Sequence, residues 1–272
     1  MKANASFMRR ACKERDNYMK QPTDMNKRVL IIANNDTKIG ADADIANYRQ
    51  FFCRKEGGCW NPDEILDIYA PTALELWTYV GMHRLAELDY LIAIFSGHGG
   101  YDRETNQTTL CLRGDTIDPD VCISDKDLNS IADRQLTIID SCRAWDEEEA
   151  SDMVKSARHI LTESNLRGQY RAAYENQIRS VLDDNDDDDV RLTLYACEIG
   201  QSTAGEMKVG GDFSLALQNY SYISRNATSY PSIYRSIENA FDAISRAPHL
   251  NNPECKGNSH LKKLPWILNN NN

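Results

Sequence analysis

The sequence contains no apolar run near the ~20 residues that a membrane-spanning helix requires, although 41% of its 272 residues are hydrophobic. Behind the basic residues Arg9, Arg10, Lys13 and Arg15 there is no apolar stretch, so no secretory signal is expected and a cytoplasmic setting is. Basic charge is in deficit, with 31 Lys and Arg against 41 Asp and Glu, a formal net charge of −10. That balance argues against nucleic acid and anionic membranes as partners, because both are held by basic surfaces. The cysteines Cys12, Cys53, Cys59, Cys111, Cys122, Cys142, Cys197 and Cys255 form no CxxC pair, which favours reduced thiols over a disulfide framework or a zinc site. Cys53 and Cys59 have no His or Cys partners at metal-binding spacing. No glycine-rich phosphate loop, dinucleotide fingerprint or internal repeat is present. A C-x5-R phosphatase loop at Cys142 is excluded because the position that needs Arg is Glu148.

What is present is an alternation of short apolar runs with amphipathic segments. The runs at Arg28–Asn34, Ile65–Tyr69, Tyr90–Phe95 and Leu136–Ile139 read as strands. YLIAIF is apolar throughout, as a strand buried on both faces should be. Helical spacing lies between them at Asp42–Lys55, at Thr72–Leu85 (with Leu74, Trp77 and Val80 on one side) and at Asp125–Ala132, and Thr108–Leu112 suggests a hairpin. The order predicts an α/β fold with a mainly parallel central sheet of about six strands and helices on both faces. Asp146–Asp189 is polar and helix-prone, and reads as an insertion at about 145–189 within a domain spanning 27–247. A further strand at Val190–Ala196 and helices around Phe213–Asn219 and Ile233–Ser245 follow it. Residues 1–26 read as an N-terminal extension, and residues 248–272 as a polar, poorly ordered tail.

Chemistry on such a sheet collects at the carboxyl ends of its strands. Two of these ends are unusually rich: Ser96-Gly97-His98-Gly99-Gly100 and Asp140-Ser141-Cys142-Arg143. A cysteine attacks a carbonyl as its thiolate, and an adjacent imidazole can take the thiol proton and later return it to the leaving amine. Glycines beside His98 allow close backbone approach and leave amides such as those of Gly99 and Cys142 to hold an oxyanion. Each motif alone has a plainer reading, the first as a glycine turn and the second as an inert core thiol. Together, in this order, they favour a Cys142/His98 dyad. Asp140 lies two residues before Cys142, on the same strand face, and suits a cationic substrate group. Its alternative role is to cap the next turn. The remaining histidines, His83, His159, His249 and His260, lack such settings.

The segments IAIFSGHGG and LTIIDSCRAW resemble the two active-site strands of the caspase–metacaspase clan of cysteine peptidases. The FSGHG motif matches in full, whereas Arg143-Ala144-Trp145 stands where metacaspases have His-Ser-Gly. Weaker matches are Gly40-Ala41-Asp42-Ala43-Asp44, Tyr195-Ala196-Cys197 with Gln201 and Glu206, and Gly211-Asp212-Phe213-Ser214. The resemblance spans roughly residues 27–219 apart from the insertion. It implies a caspase-like fold and endopeptidase activity, with Asp140 and Asp44 selecting Arg or Lys before the cleaved bond. Asp42 is the alternative to Asp44. No cofactor is expected, although some metacaspases require Ca²⁺. The run Asp183–Asp189 lacks the central Gly and terminal Glu of a known Ca²⁺ loop. Expected partners are proteins or peptides with exposed Arg or Lys. The clan also includes prokaryotic effectors of antiphage defence, some switched on by a small nucleotide activator. Lys155, Arg158, Arg167, Arg171 and Arg179 are candidate self-cleavage sites. A catalytically silent caspase-like adaptor or ligand-binding domain is the competing function.

Overall fold

The computed structural model describes residues 25–36, 39–115, 118–144, 167–184, 190–203, 205–206, 209–219, 234–247 and 250–268. In chain order its main elements are β1 (Lys27–Ala33), α1 (Ala41–Cys53), β2 (Ile65–Tyr69), α2 (Ala73–Met82), β3 (Tyr90–Ser96), β4 (His98–Asp102), β5 (Gln107–Cys111), β6 (Cys122–Ser124), α3 (Asp125–Asn129) and β7 (Arg134–Asp140). There follow α4 (Arg167–Asp183), β8 (Val190–Tyr195), β9 (Gly205–Glu206), β10 (Gly210–Gly211), α5 (Asp212–Asn219), β11 (Tyr234–Ser236), α6 (Ile237–Ile244), β12 (Glu254–Gly257) and β13 (Pro265–Leu268). The central sheet has six strands in the order β12-β8-β7-β3-β1-β2. All neighbours are parallel except β12, which runs antiparallel along β8.

Alternation along the strands builds two cores. Val29, Ile31, Ile92, Ile94, Leu136 and Ile138 face one layer, together with Tyr48 and Phe52 of α1 and Tyr174 and Ile178 of α4. Leu30, Ile32, Leu91, Ala93 and Phe95 face the other, against Leu76 of α2, Leu110 of β5 and Leu128 of α3. Continuous apolar runs are therefore required, because both sides of each strand are buried. Two helices on the second layer start with reciprocal caps. Thr72 and Glu75 exchange bonds at the head of α2, and Ser124 and Asp127 do so at the head of α3.

Three sequence expectations are corrected. In α2 the core side is set by Leu76, with Ala73 and Val80, while Leu74 is 77% exposed and Trp77 also faces outward. The capped start at Thr72 fixes the rotation of the helix, and that rotation turns Leu76 onto the sheet. The described part of the segment expected as a tail, residues 250–268, carries regular structure. Glu254–Gly257 adds the edge strand to β8, and Trp266 is fully buried against Phe51 and Phe52, its indole N–H donating to the Leu217 carbonyl at 3.0 Å. The second half of the expected insertion is α4, a core helix burying Tyr174, Ile178, Val181 and Leu182. Residues 1–24, 145–166 and 185–189 lie outside the described residues, so the expected N-terminal extension and the acidic run fall there almost entirely.

A buried ionic network docks α4. Lys27 Nζ lies 3.0 Å from Glu64 and 3.1 Å from Glu175, over the Trp60 ring at 4.1 Å, and Arg171 pairs with both carboxylates. Burial pushes Glu64 upward, but the Arg171 hydrogen bonds and the Lys27 charge outweigh it and hold the group at about 2. The same network binds Arg171, a candidate self-cleavage site, into a helix. Arg167 at the head of α4 donates to the Cys53 carbonyl at 2.8 Å and to the Trp60 carbonyl at 2.5 Å. A peptidase needs an extended segment, so Arg167, Arg171 and Arg179 of α4 are poor sites, and the other two lie outside the described residues.

Replacing Lys27 with Met removes one cation from two buried carboxylates and should destabilise the protein by about 3 kcal/mol. A urea unfolding curve unchanged from wild type would show that Arg171 alone satisfies the pair.

Candidate active site

The parallel pairing of β3 with β7 places Ser96 opposite Asp140. His98 and Cys142 each stand two residues further along, so both leave the same edge of adjacent strands. The crossover is fixed by backbone hydrogen bonds: Gly97 N–H donates to the Asp140 carbonyl at 3.1 Å. Beyond Gly97 the chain enters β4, the first strand of a three-stranded antiparallel sheet of order β4-β5-β6. Here Gly99 is pressed against the turn after β7. A Cβ at that position would lie 2.7 Å from Ser141 Oγ and 2.9 Å from the Cys142 carbonyl oxygen. Only glycine allows the two backbones to approach this closely.

Cys142 is half-buried, with its thiol donating toward the Thr203 carbonyl at 3.7 Å. His98 is also half-buried, and its Nε2 lies 3.0 Å from Oδ2 of Asp36, just beyond the end of β1. Sequence reasoning missed Asp36, which stands in the polar turn Asn34-Asn35-Asp36 just after the first strand. Only the position of that turn at the same sheet edge could have flagged it. Across β4 the partner of His98 is Cys111, whose thiol is 3.5 Å from that of Cys122 and is pushed up to about 12 by burial and by its neighbour. Neither that thiol nor Cys197, also held at about 12 by burial, is poised to act as a nucleophile.

Arg143, which departs from the metacaspase pattern, is fully buried. Its guanidinium stacks over Tyr195 at 4.1 Å and donates to Thr108 Oγ1 and the Cys197 carbonyl, both at 3.1 Å, and to Glu254 at 2.6 Å. Its backbone N–H and carbonyl pair with Gln201 and Gly200. The turn carrying Cys142 is thereby tied to β5, β8 and the edge strand β12. This anchoring explains an arginine directly after the candidate nucleophile without a role in substrate binding.

The two carboxylates expected to recognise a cation come together. Asp44 is fully buried and Asp140 is 4% exposed, whereas the alternative Asp42 faces solvent. Asp44 accepts from Ser96 Oγ at 2.6 Å and from the Gly211 N–H at 3.0 Å. Asp140 accepts from the Ser214 N–H at 3.0 Å and from Thr203 Oγ1 at 3.2 Å. Gly211 passes between them, and any side chain there would collide with the Asp140 carboxylate. Tyr48 completes the enclosure, donating to Ser214 Oγ at 3.0 Å. Burial raises the pKa of both acids, in Asp44 well above the usual range and further through the Asp140 charge. Among the described residues no cation faces the pair.

Comparisons with known proteins add little to this geometry. No family model matches the sequence, and no curated protein matches it. A crystal structure of caspase-1 from Spodoptera frugiperda is similar in its chain path, with 11% identity and a TM-score of 0.49 over 90% of this chain and 89% of that one. No described helix is long and apolar enough to cross a membrane.

The acidic pair makes the free protein sensitive to pH in an unusual direction. Because the folded-state values are raised, the pair stabilises the fold below the ordinary Asp value near 4. That contribution is lost as pH rises through the folded values. Asp140→Asn keeps an acceptor for Ser214 and offers a donor to Thr203, so it should melt a few degrees above wild type at pH 8, with the gap closing toward pH 4. Equal melting temperatures at pH 8 would mean that the charge of Asp140 costs nothing in place.

Proposed function

We propose that the chain is a cysteine endopeptidase cutting after basic residues, Arg before Lys, with Cys142 as nucleophile and His98 as acid and base. The supporting observation is the side-by-side exit of the two strand ends, with the Gly99 backbone against the Cys142 turn. In the first step the Cys142 proton passes to His98, and the thiolate sulfur bonds to the scissile carbonyl carbon. The carbonyl π pair moves onto oxygen, where the Gly99 and Cys142 amides hold the developing charge. When the tetrahedral intermediate collapses, the C–N bond breaks and the His98 proton goes to the departing amine. Water, deprotonated by His98, then attacks the thioester, the C–S bond breaks, and the thiol regains its proton.

Asp44 and Asp140 supply specificity. A guanidinium forms two parallel charge-assisted bonds with a carboxylate, which an ammonium cannot match. Its entry would ionise both acids and repay the cost of burying them. A substrate Asp would instead add a third carboxylate to the pair. Since Gly211 and its neighbours enclose both groups in the free protein, substrate entry requires β10 to draw aside. The same enclosure is the observation that favours the second reading, a silent domain whose acidic pair only ties α5 to the sheet.

Turnover of fluorogenic peptides that differ only in the residue before the cleaved bond separates the two readings. The expected order is Arg, then Lys, with Asp refused. Cys142→Ala and His98→Ala should each abolish cleavage, the double variant being scarcely worse than either. Asp140→Asn should cost about 2–4 kcal/mol in kcat/KM for the Arg peptide and much less for neutral ones. Unchanged turnover in Cys142→Ala would end the peptidase reading. A preference for Asp would end the acidic-pocket assignment alone.

A further inference from the structure

We infer that Asp36 is the third member of the catalytic group, a positioning residue that holds His98 in one tautomer and supports its charged form. The inference rests on the peptidase reading above and deepens it. Nε2 of His98 lies 3.0 Å from Asp36 Oδ2. A carboxylate can only accept, so this contact places the ring proton on Nε2 and leaves Nδ1 to exchange the proton of Cys142. Once Nδ1 is protonated the ring is a cation beside an anion. The arrangement follows triad logic, in which the acid orients and stabilises the imidazolium without taking the proton itself.

The setting of Asp36 is that of a held group rather than a surface side chain brushing a ring. Its backbone N–H donates to Asn34 Oδ1 at 2.8 Å, closing a tight local turn. Asn34 is fully buried, and its side-chain amide donates to the carbonyls of Cys111 at 2.6 Å and Gly114 at 2.7 Å. Its own N–H donates to the Ser96 carbonyl at 3.0 Å. One asparagine thus fastens Asp36 to β3, which leads into His98, and to β5, which lies opposite His98. Removing the freedom of the acid in this way is what a preorganised site requires.

The described ionisable groups bearing on His98 are few. Asp36 approaches from the end of β1, and Cys111 of β5 is the cross-strand partner of His98, with Asp115 bearing on that thiol, while Cys142 leaves the adjacent strand end. Cys111 is a neutral thiol over the working range, since burial and Cys122 push it up to about 12. Asp36 is therefore the acid in direct contact with the ring. The Asp36 side chain is 25% exposed and that of His98 28%, so the pair sits at the rim of the site within reach of solvent.

The test is the pH dependence of Cys142 alkylation by iodoacetamide, followed at that residue by mass spectrometry, alongside kcat and KM for an Arg peptide. Wild type should show a reactive Cys142 at neutral pH that is lost in His98→Asn. Asp36→Asn keeps the size and an acceptor but removes the charge. It should lower alkylation at neutral pH about tenfold or more, consistent with an opposite charge within ~4–6 Å, and shift the profile to higher pH. It should lower kcat in proportion while leaving KM within about twofold. Asp36→Glu should restore part of both. If Asp36→Asn matches wild type in profile and kcat, the inference is wrong and the dyad stands alone. If Cys142 in wild type is no more reactive than in His98→Asn, the dyad reading and this inference fall together.

Discussion

The parallel register between β3 and β7 is the constraint on which the rest depends. With Ser96 opposite Asp140, each residue from Leu91 to Phe95 has a fixed counterpart from Gln135 to Ile139. A slip of one residue would turn the side chains to the other face of the sheet, separating Ser96 from Asp44 and Asp140 from Ser214. The register is over-determined from both sides. Ile92, Ile94, Leu136 and Ile138 share one core, and Leu91, Ala93, Phe95 and Ile139 the other. The hydrophobic sandwich that makes the sheet stable is thus also what sets the geometry of its edge.

At that edge the structure holds two acids whose ionisation burial opposes. Two carboxyl groups are withdrawn from water with no cation between them among the described residues, and burial drives both toward the neutral acid. A fold selected only for stability would place an amide or a hydroxyl there. The contrast with Glu64 is instructive. That carboxylate is also buried, yet Lys27 and Arg171 hold it ionised, and it serves the docking of α4 and the turn before β2. Glu64 has cations to balance its charge, whereas Asp44 and Asp140 have hydrogen-bond donors only among the described residues, which is the feature the proposed cation pocket rests on.

Much of this was legible in the residues. The strands announced themselves because two-sided burial leaves no room for polar positions, and the SGHG and DSC segments could be placed on adjacent strand ends from topology alone. Asp44 and Asp140 were singled out, though not their enclosure by Gly211 and Thr203, since a two-residue strand and a loop oxygen leave no periodic mark. Asp36 was hidden for the same reason, as an acid in a turn looks like a turn former. The face of α2 was misread because Leu74 and Trp77 are as apolar as the residues that pack. The final strand was missed because the sequence around Trp266 is short and flanked by polar residues, so no pattern separates it from a loose tail.

Covalent trapping with an arginyl chloromethyl ketone tests the central claim most directly, because it asks for the nucleophile, its activation and the pocket in one event. Cys53, Cys111, Cys197 and Cys255 are free thiols in the same molecule and serve as internal controls. The expected result is a single adduct at Cys142, formed faster than with the aspartyl analogue and lost in His98→Ala. An adduct spread over the other cysteines, or one at Cys142 that forms equally fast without His98, would contradict it.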